Sequence, residues 1–128
     1  MKKLYVKEIF ASIVILSACI ITGNAVFAQG QFINNGAKIT INSGTSLIVG
    51  DNSTGTVDFV NESGGSVANN GSMYVNGDWE NNDAGGVFSG TGTVNLNGTS
   101  AQNIQGSDKT NFYNLVLTNA AKTMQVDA

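Results

Sequence analysis

The sequence predicts an all-β chain: a parallel β-solenoid, wound as a right-handed β-helix, behind an N-terminal signal helix. Three observations predict it. A short phrase recurs from residue 36 onward, in which a glycine opens an apolar-alternating run that closes on Asn or Gly. Many of the turns between runs are short and carry Asn in similar places. Proline, which cannot donate to a sheet ladder, is absent from all 128 residues. Many short strands with glycine turns also build antiparallel β-sandwiches, so a sandwich is the alternative. Repetition favours the solenoid, because stacked coils let asparagines bond from one coil to the next as they do in cross-β ladders.

Taken in order, residues 1–28 read as a secretory signal peptide. Lys2, Lys3 and Lys7 give a positive start, Phe10–Ile21 an apolar middle, and Val26-Phe27-Ala28 a small-residue cut site ahead of Gln29. The apolar run is short for a bilayer span, so the mature chain carries no membrane span. Leu16-Ser17-Ala18-Cys19 offers a second reading, a lipobox in which Cys19 is lipidated and the product is an outer-membrane lipoprotein. Ile20 and Ile21 continue the apolar run past Cys19, where a polar tether is expected. Both readings take the chain out of the cytoplasm.

Residues 29–128 form the repeat segment. The copies are Gly36-AKITIN, Gly44-TSLIVG, Gly55-TVDFVN, Gly71-SMYVNG and Gly92-TVNLNG, with Gly65-SVANN and Gly86-VFSG abbreviated. Each alternates with period two: Ile39 and Ile41 against Lys38 and Thr40, Val57 and Phe59 against Thr56 and Asp58, Val94 and Leu96 against Thr93 and Asn95. Such alternation marks half-buried strands. Met73, Val75, Gly77 and Trp79 share a phase, which predicts an inward Trp79 at the end of one longer strand. Phe112–Leu117 is apolar on both faces and predicts a strand covered on both sides. Connectors such as Asn34–Gly36, Asn61–Gly65 and Asn81–Gly86 consist of residues that tolerate positive φ or bond their own backbone. The expected narrow core is Ile39, Ile41, Val57, Phe59, Val75, Trp79, Val94, Leu96, Leu115 and Leu117. The last residues, Gln125–Ala128, supply no closing turn, so the segment reads as the N-terminal part of a longer protein.

Composition removes several function classes. The repeat segment holds three lysines, no arginine and eight acids, a net charge of −5, which opposes nucleic-acid binding. Histidine is absent and Cys19 is the only cysteine, so the mature segment has no histidine-based triad, disulfide or zinc site. No cofactor is expected.

One cluster looks like chemistry. Asp78 and Glu80 flank Trp79, the combination of paired carboxylates and an aromatic platform that carbohydrate sites use. The plainer reading is a solvated strand face with an inward tryptophan. Asp51-Asn52-Ser53 and Asn82-Asp83 offer oxygens to calcium but lack the ordered carboxylate alternation of a strong loop. The Asn-X-Ser/Thr triplets at Asn52, Asn61, Asn70 and Asn97 are expected by chance in so Asn-rich a chain.

From Gly71 to Leu117 a longer pattern is present: VNGDWENN, then FSGTGTVNLNGTSAQNIQG, then TNFYNLVLTNA. It resembles the N-terminal repeat regions of large secreted, adhesin-like surface proteins of Bacteroidetes. The matching positions are Gly77, Asp78, Trp79, Asn81, Asn82, Gly92, Thr93, Val94, Asn97, Gly98, Gln102, Ile104, Gly106 and Phe112–Leu115. The resemblance implies a parallel β-helix at the cell surface, exported by the type IX system. The expectation is therefore a non-catalytic, secreted or cell-surface structural segment, with surface glycans or other surface proteins as partners. The alternative is a carbohydrate-binding or carbohydrate-active module using Asp78, Trp79 and Glu80.

Overall fold

The computed structural model describes residues 29–50, 55–84 and 88–118. The expected signal segment with Cys19, and the calcium candidate Asp51-Asn52-Ser53, lie outside the described residues. The described chain is all β. Its strands are β1 (Gly30–Asn35), β2 (Lys38–Ile41), β3 (Ser46–Val49), β4 (Val57–Glu62), β5 (Ser66–Asn69), β6 (Ser72–Val75), β7 (Trp79–Asn81), β8 (Phe88–Ser89), β9 (Thr93–Leu96), β10 (Ile104–Gln105) and β11 (Asn114–Leu117).

These strands wind a parallel β-solenoid of about 3 turns. One sheet stacks β1-β4-β7-β10, a second β2-β5-β8, and a third β3-β6-β9-β11. Every pairing recorded between described strands is parallel, which replaces the sandwich alternative. Glycine phrases that look equivalent in sequence thus serve different sheets. Gly36-AKITIN supplies β2, Gly44-TSLIVG β3 and Gly55-TVDFVN β4. The stacked equivalents are further apart. In the first sheet Phe32, Phe59, Trp79 and Ile104 stand in register, at steps of 27, 20 and 25 residues. Turn length absorbs the variation while strand register is kept.

Alternation places the core. Ile41, Val49, Phe59, Val67, Met73, Val75, Trp79, Val94 and Leu96 are buried together, and Ile39, Leu47, Val57, Phe88, Ile104, Phe112 and Leu115 pack against them. Along the first sheet the rings form a column. Phe32 stacks on Phe59 with centroids 6.0 Å apart, and Phe59 lies 4.5 Å from Trp79. Phe88 and Phe112 meet the indole edge-on at 5.2 and 5.0 Å. Offset and edge-on geometries suit the ring quadrupoles and add to the burial of large apolar surface.

A second inward column is polar. Asn34, Asn61 and Asn81 are in register and buried. Asn34 Nδ2 donates to Asn61 Oδ1 at 2.9 Å, and Asn61 Nδ2 to Asn81 Oδ1 at 3.0 Å. The expected asparagine ladder is therefore present at the corner between the first and second sheets. Asn81 Nδ2 ends it on the carbonyl of Lys109, at 3.0 Å. Gly106 follows at the next register position, where a Cβ would run into the Asn81 carbonyl.

Two expectations are corrected. Trp79 points inward, but it does not end a longer strand begun at Met73. The chain turns between Val75 and Trp79, so Met73 and Val75 lie in the third sheet and Trp79 in the first. Asn76 makes that corner: its side chain accepts from Val57 N–H at 2.8 Å and donates to the Gly55 carbonyl at 3.1 Å. Phe112–Leu117 is not covered on both sides. Phe112 joins the ring cluster, yet Tyr113, Val116 and Leu117 are 67%, 40% and 39% exposed. The reason is position: among the described strands β11 is paired with β9 alone, at the end of its sheet. Leu117 thus leaves the expected core, and Val49, Val67 and Met73 join it.

Candidate functional site

The Asp78-Trp79-Glu80 cluster lies on the outer face and inner side of β7. Trp79 is 1% exposed, enclosed by Phe59, Phe88 and Phe112. Its indole N–H donates to Thr110 Oγ1 at 2.9 Å, which satisfies the buried polar end. An aromatic platform for a sugar needs an open ring face, and this ring has none.

Asp78 and Glu80 point the other way and are half-buried. Asp78 belongs to a column in register with Gln31, Asp58 and Asn103. Asp58 accepts from the Gln29 amide at 2.9 and 2.7 Å, and its Oδ1 also accepts the backbone N–H of Asp78 at 2.7 Å. Asp78 repeats the arrangement one coil on. It accepts the backbone N–H of Asn103 at 2.8 Å and the Asn103 amide at 3.0 Å. Each carboxylate thus grips the backbone of the next coil. Hydrogen bonds to ionised acceptors are stronger than neutral ones, so these are effective clamps between coils.

Glu80 accepts from Asn82 Nδ2 at 2.7 Å and from Gln105 Nε2 at 3.3 Å. Asn82 also donates to Glu62 at 3.3 Å. From Asp58 onward the polar residues of this sheet's outer face form a lattice of carboxylates and amides bonded along the stack, with Val60 a buried apolar residue among them. Asp83, the acid of the Asn82-Asp83 calcium candidate, is buried and accepts the Gly64 N–H at 3.0 Å. Among the described residues no group of three or more His, Cys, Asp or Glu converges on a metal position. Among them, too, no helix is long and apolar enough to cross a membrane.

A hollow of about 360 Å³ lies at a neighbouring corner, lined by Asp83, Ala84, Ser107, Asp108, Lys109 and Asn111. It contains none of Asp78, Trp79 and Glu80. The three residues singled out by composition are therefore split between core and outer lattice rather than gathered around one space.

The partners Asp58 and Asn103 carry no signal as isolated residues. They become visible when successive coils are aligned by register, whereas Gln29 and Asn82 lie outside the aligned unit. Gln31-Phe32-Ile33-Asn34, Asp58-Phe59-Val60-Asn61, Asp78-Trp79-Glu80-Asn81 and Asn103-Ile104-Gln105-Gly106 are four copies of one unit. It runs polar residue, inward apolar residue, outward residue, ladder asparagine, with Gly106 closing the series; the polar residue clamps the next coil in the Asp58 and Asp78 copies. Gln102, just before the last copy, is buried; its Nε2 donates to the Val75 and Gly77 carbonyls and its Oε1 accepts the Gly98 N–H at 2.8 Å.

No protein-family model matches this chain, and comparison with curated proteins and with solved structures yields no match.

Proposed function

We propose that the chain is a non-catalytic shaft segment of a secreted or cell-surface protein, structural and adhesin-like, of the kind found in the N-terminal repeat regions of Bacteroidetes surface proteins. The observation that carries this reading is the fate of the chemically suggestive cluster. Trp79 is spent on the ring column, and Asp78 and Glu80 are spent on bonds to the next coil. Side chains committed to stacking serve length and rigidity, since each coil of a solenoid is stabilised by its neighbours. Partners in this reading are surface glycans or other surface proteins, met along the faces of the shaft.

The test compares binding with folding. The chain, with Asp78→Asn, Glu80→Gln and Trp79→Phe variants, is incubated with a panel of polysaccharides while far-ultraviolet circular dichroism follows the fold. The expected result is no glycan cleavage by any form, and no binding that depends on Trp79. Cleavage lost in Asp78→Asn or Glu80→Gln with the fold intact overturns the reading. So does saturable binding lost in Trp79→Phe.

A further inference from the structure

Four Asn-Gly pairs lie among the described residues: Asn35-Gly36, Asn70-Gly71, Asn76-Gly77 and Asn97-Gly98. Such a pair is chemically labile in an unfolded chain. The glycine nitrogen, unshielded because glycine has no Cβ, can attack the Asn side-chain carbonyl carbon. A folded chain allows this only where the nitrogen is free and the backbone has room to close a five-membered ring.

Three of the four pairs are held. Gly71 N–H donates to Asn69 Oδ1 at 3.1 Å, Gly77 N–H to the Val57 carbonyl at 3.0 Å, and Gly98 N–H to Gln102 Oε1 at 2.8 Å. All three glycines are also pressed against neighbouring backbone that a Cβ would strike. The Asn76 amide is itself tied at both ends.

Asn35-Gly36 differs on every count. Both residues are exposed, and no hydrogen bond among the described residues engages the Gly36 N–H or the Asn35 side chain. Gly36 has a φ of +80°, and nothing lies within 4 Å of where its Cβ would be. The turn needs glycine for that conformation, and the same lack of a side chain opens the nitrogen to reaction.

We propose that Asn35 is a modification site, converting to aspartate and isoaspartate by spontaneous deamidation while the other three pairs stay intact. The Gly36 nitrogen loses its proton and bonds to Asn35 Cγ; the Cγ–N bond of the side chain breaks and ammonia leaves. Water then opens the cyclic imide. Attack at the former side-chain carbonyl gives aspartate, and attack at the main-chain carbonyl gives isoaspartate. Water is the only co-reactant. The new carboxylate stands beside its register partner Glu62, roughly one strand spacing of 4.8 Å away, and like charges so paired are destabilising. Isoaspartate adds a backbone methylene and uncouples the end of β1 from β4.

The test incubates the folded chain at mildly alkaline pH in heavy-oxygen water and maps label by peptide mass spectrometry. A second sample is held in denaturant. In the folded chain Asn35 is expected to take up label at least about tenfold faster than the other pairs, which react only through local opening. In denaturant the four rates are expected to converge. Asn35→Gln, which leaves the turn glycine untouched, is expected to abolish label in that peptide. Equal rates in the folded chain, another pair leading, or label persisting in the Asn35→Gln peptide would each overturn the proposal.

Discussion

Asn61 donates its side-chain amide to Asn81 Oδ1, 3.0 Å away and one coil further along the stack. The same side chain accepts from Asn34 on the coil before. It is the middle rung of a buried ladder, so its loss strands polar atoms on both sides. Asn61→Ala is expected to cost roughly 3 kcal/mol or more, because it orphans three buried groups, Asn34 Nδ2, Asn81 Oδ1 and the Gly65 carbonyl, at about 1 kcal/mol or more each. Asn34→Ala, at the end of the ladder, orphans the buried Asn61 Oδ1 and the Ala37 N–H, which water can reach, and is expected to cost about 1–2 kcal/mol. Denaturant midpoints of the two variants check the order; an Asn34→Ala loss equal to that of Asn61→Ala would contradict the ladder.

The strands themselves were largely legible. Alternation within the glycine phrases marks β2, β3, β4, β5, β6 and β9, and the ladder of asparagines follows from stacking such phrases. The pairing of coils was not. Asp58-Phe59-Val60-Asn61 and Asp78-Trp79-Glu80-Asn81 are stacked copies, but unequal turn lengths hide their period, and the glycine phrases align the wrong strands. Residue phase alone therefore joins Trp79 to the strand of Met73 and Val75, although the corner at Asn76 places it in another sheet. The candidate site failed to converge for a related reason. Proximity in sequence suggests a cluster at Asp78, Trp79 and Glu80, whereas strand alternation separates the ring from the two carboxylates.

The clamp made by Asp58 predicts a graded response. Both oxygens of its carboxylate lie within hydrogen-bond distance of the Gln29 amide nitrogen, and Oδ1 also accepts the Asp78 backbone N–H. Asp58→Asn keeps one acceptor oxygen and replaces the other with a donor. The expected cost is about 1 kcal/mol, rising to about 2–3 kcal/mol in Asp58→Ala, where the Asp78 N–H loses its partner. Hydrogen exchange at the Asp78 amide is the direct readout, and it should speed up in Asp58→Ala before any change at Asn61.

Trp79 fills the middle of the ring column and bonds Thr110. Trp79→Ala leaves a cavity among Phe59, Phe88 and Phe112 and is expected to cost about 3–5 kcal/mol. Trp79→Phe keeps an aromatic ring, loses the indole bond and part of the volume, and is expected to cost about 2 kcal/mol. Thermal unfolding followed by circular dichroism separates the two. Equal stability of Trp79→Ala and the parent chain would show that the ring column contributes nothing to the stack.

Gly106 and Gly44 separate the steric and conformational roles of glycine in the turns. Both have positive φ, +122° and +78°. At Gly44 nothing lies within 4 Å of a Cβ, so Gly44→Ala meets only the backbone preference and is expected to cost about 1–2 kcal/mol. At Gly106 the Cβ would strike the Asn81 backbone, where the asparagine ladder ends. Gly106→Ala must push the last coil off the stack, and with it the Lys109 carbonyl that caps Asn81. Its cost is expected to exceed that of Gly44→Ala by at least about 1–3 kcal/mol, the penalty of a buried amide left without its acceptor. Limited proteolysis locates the damage. Cleavage in Gly106→Ala should begin between Gly98 and Thr118, with β4 to β6 still protected; cleavage starting at the first coil would place the strain elsewhere.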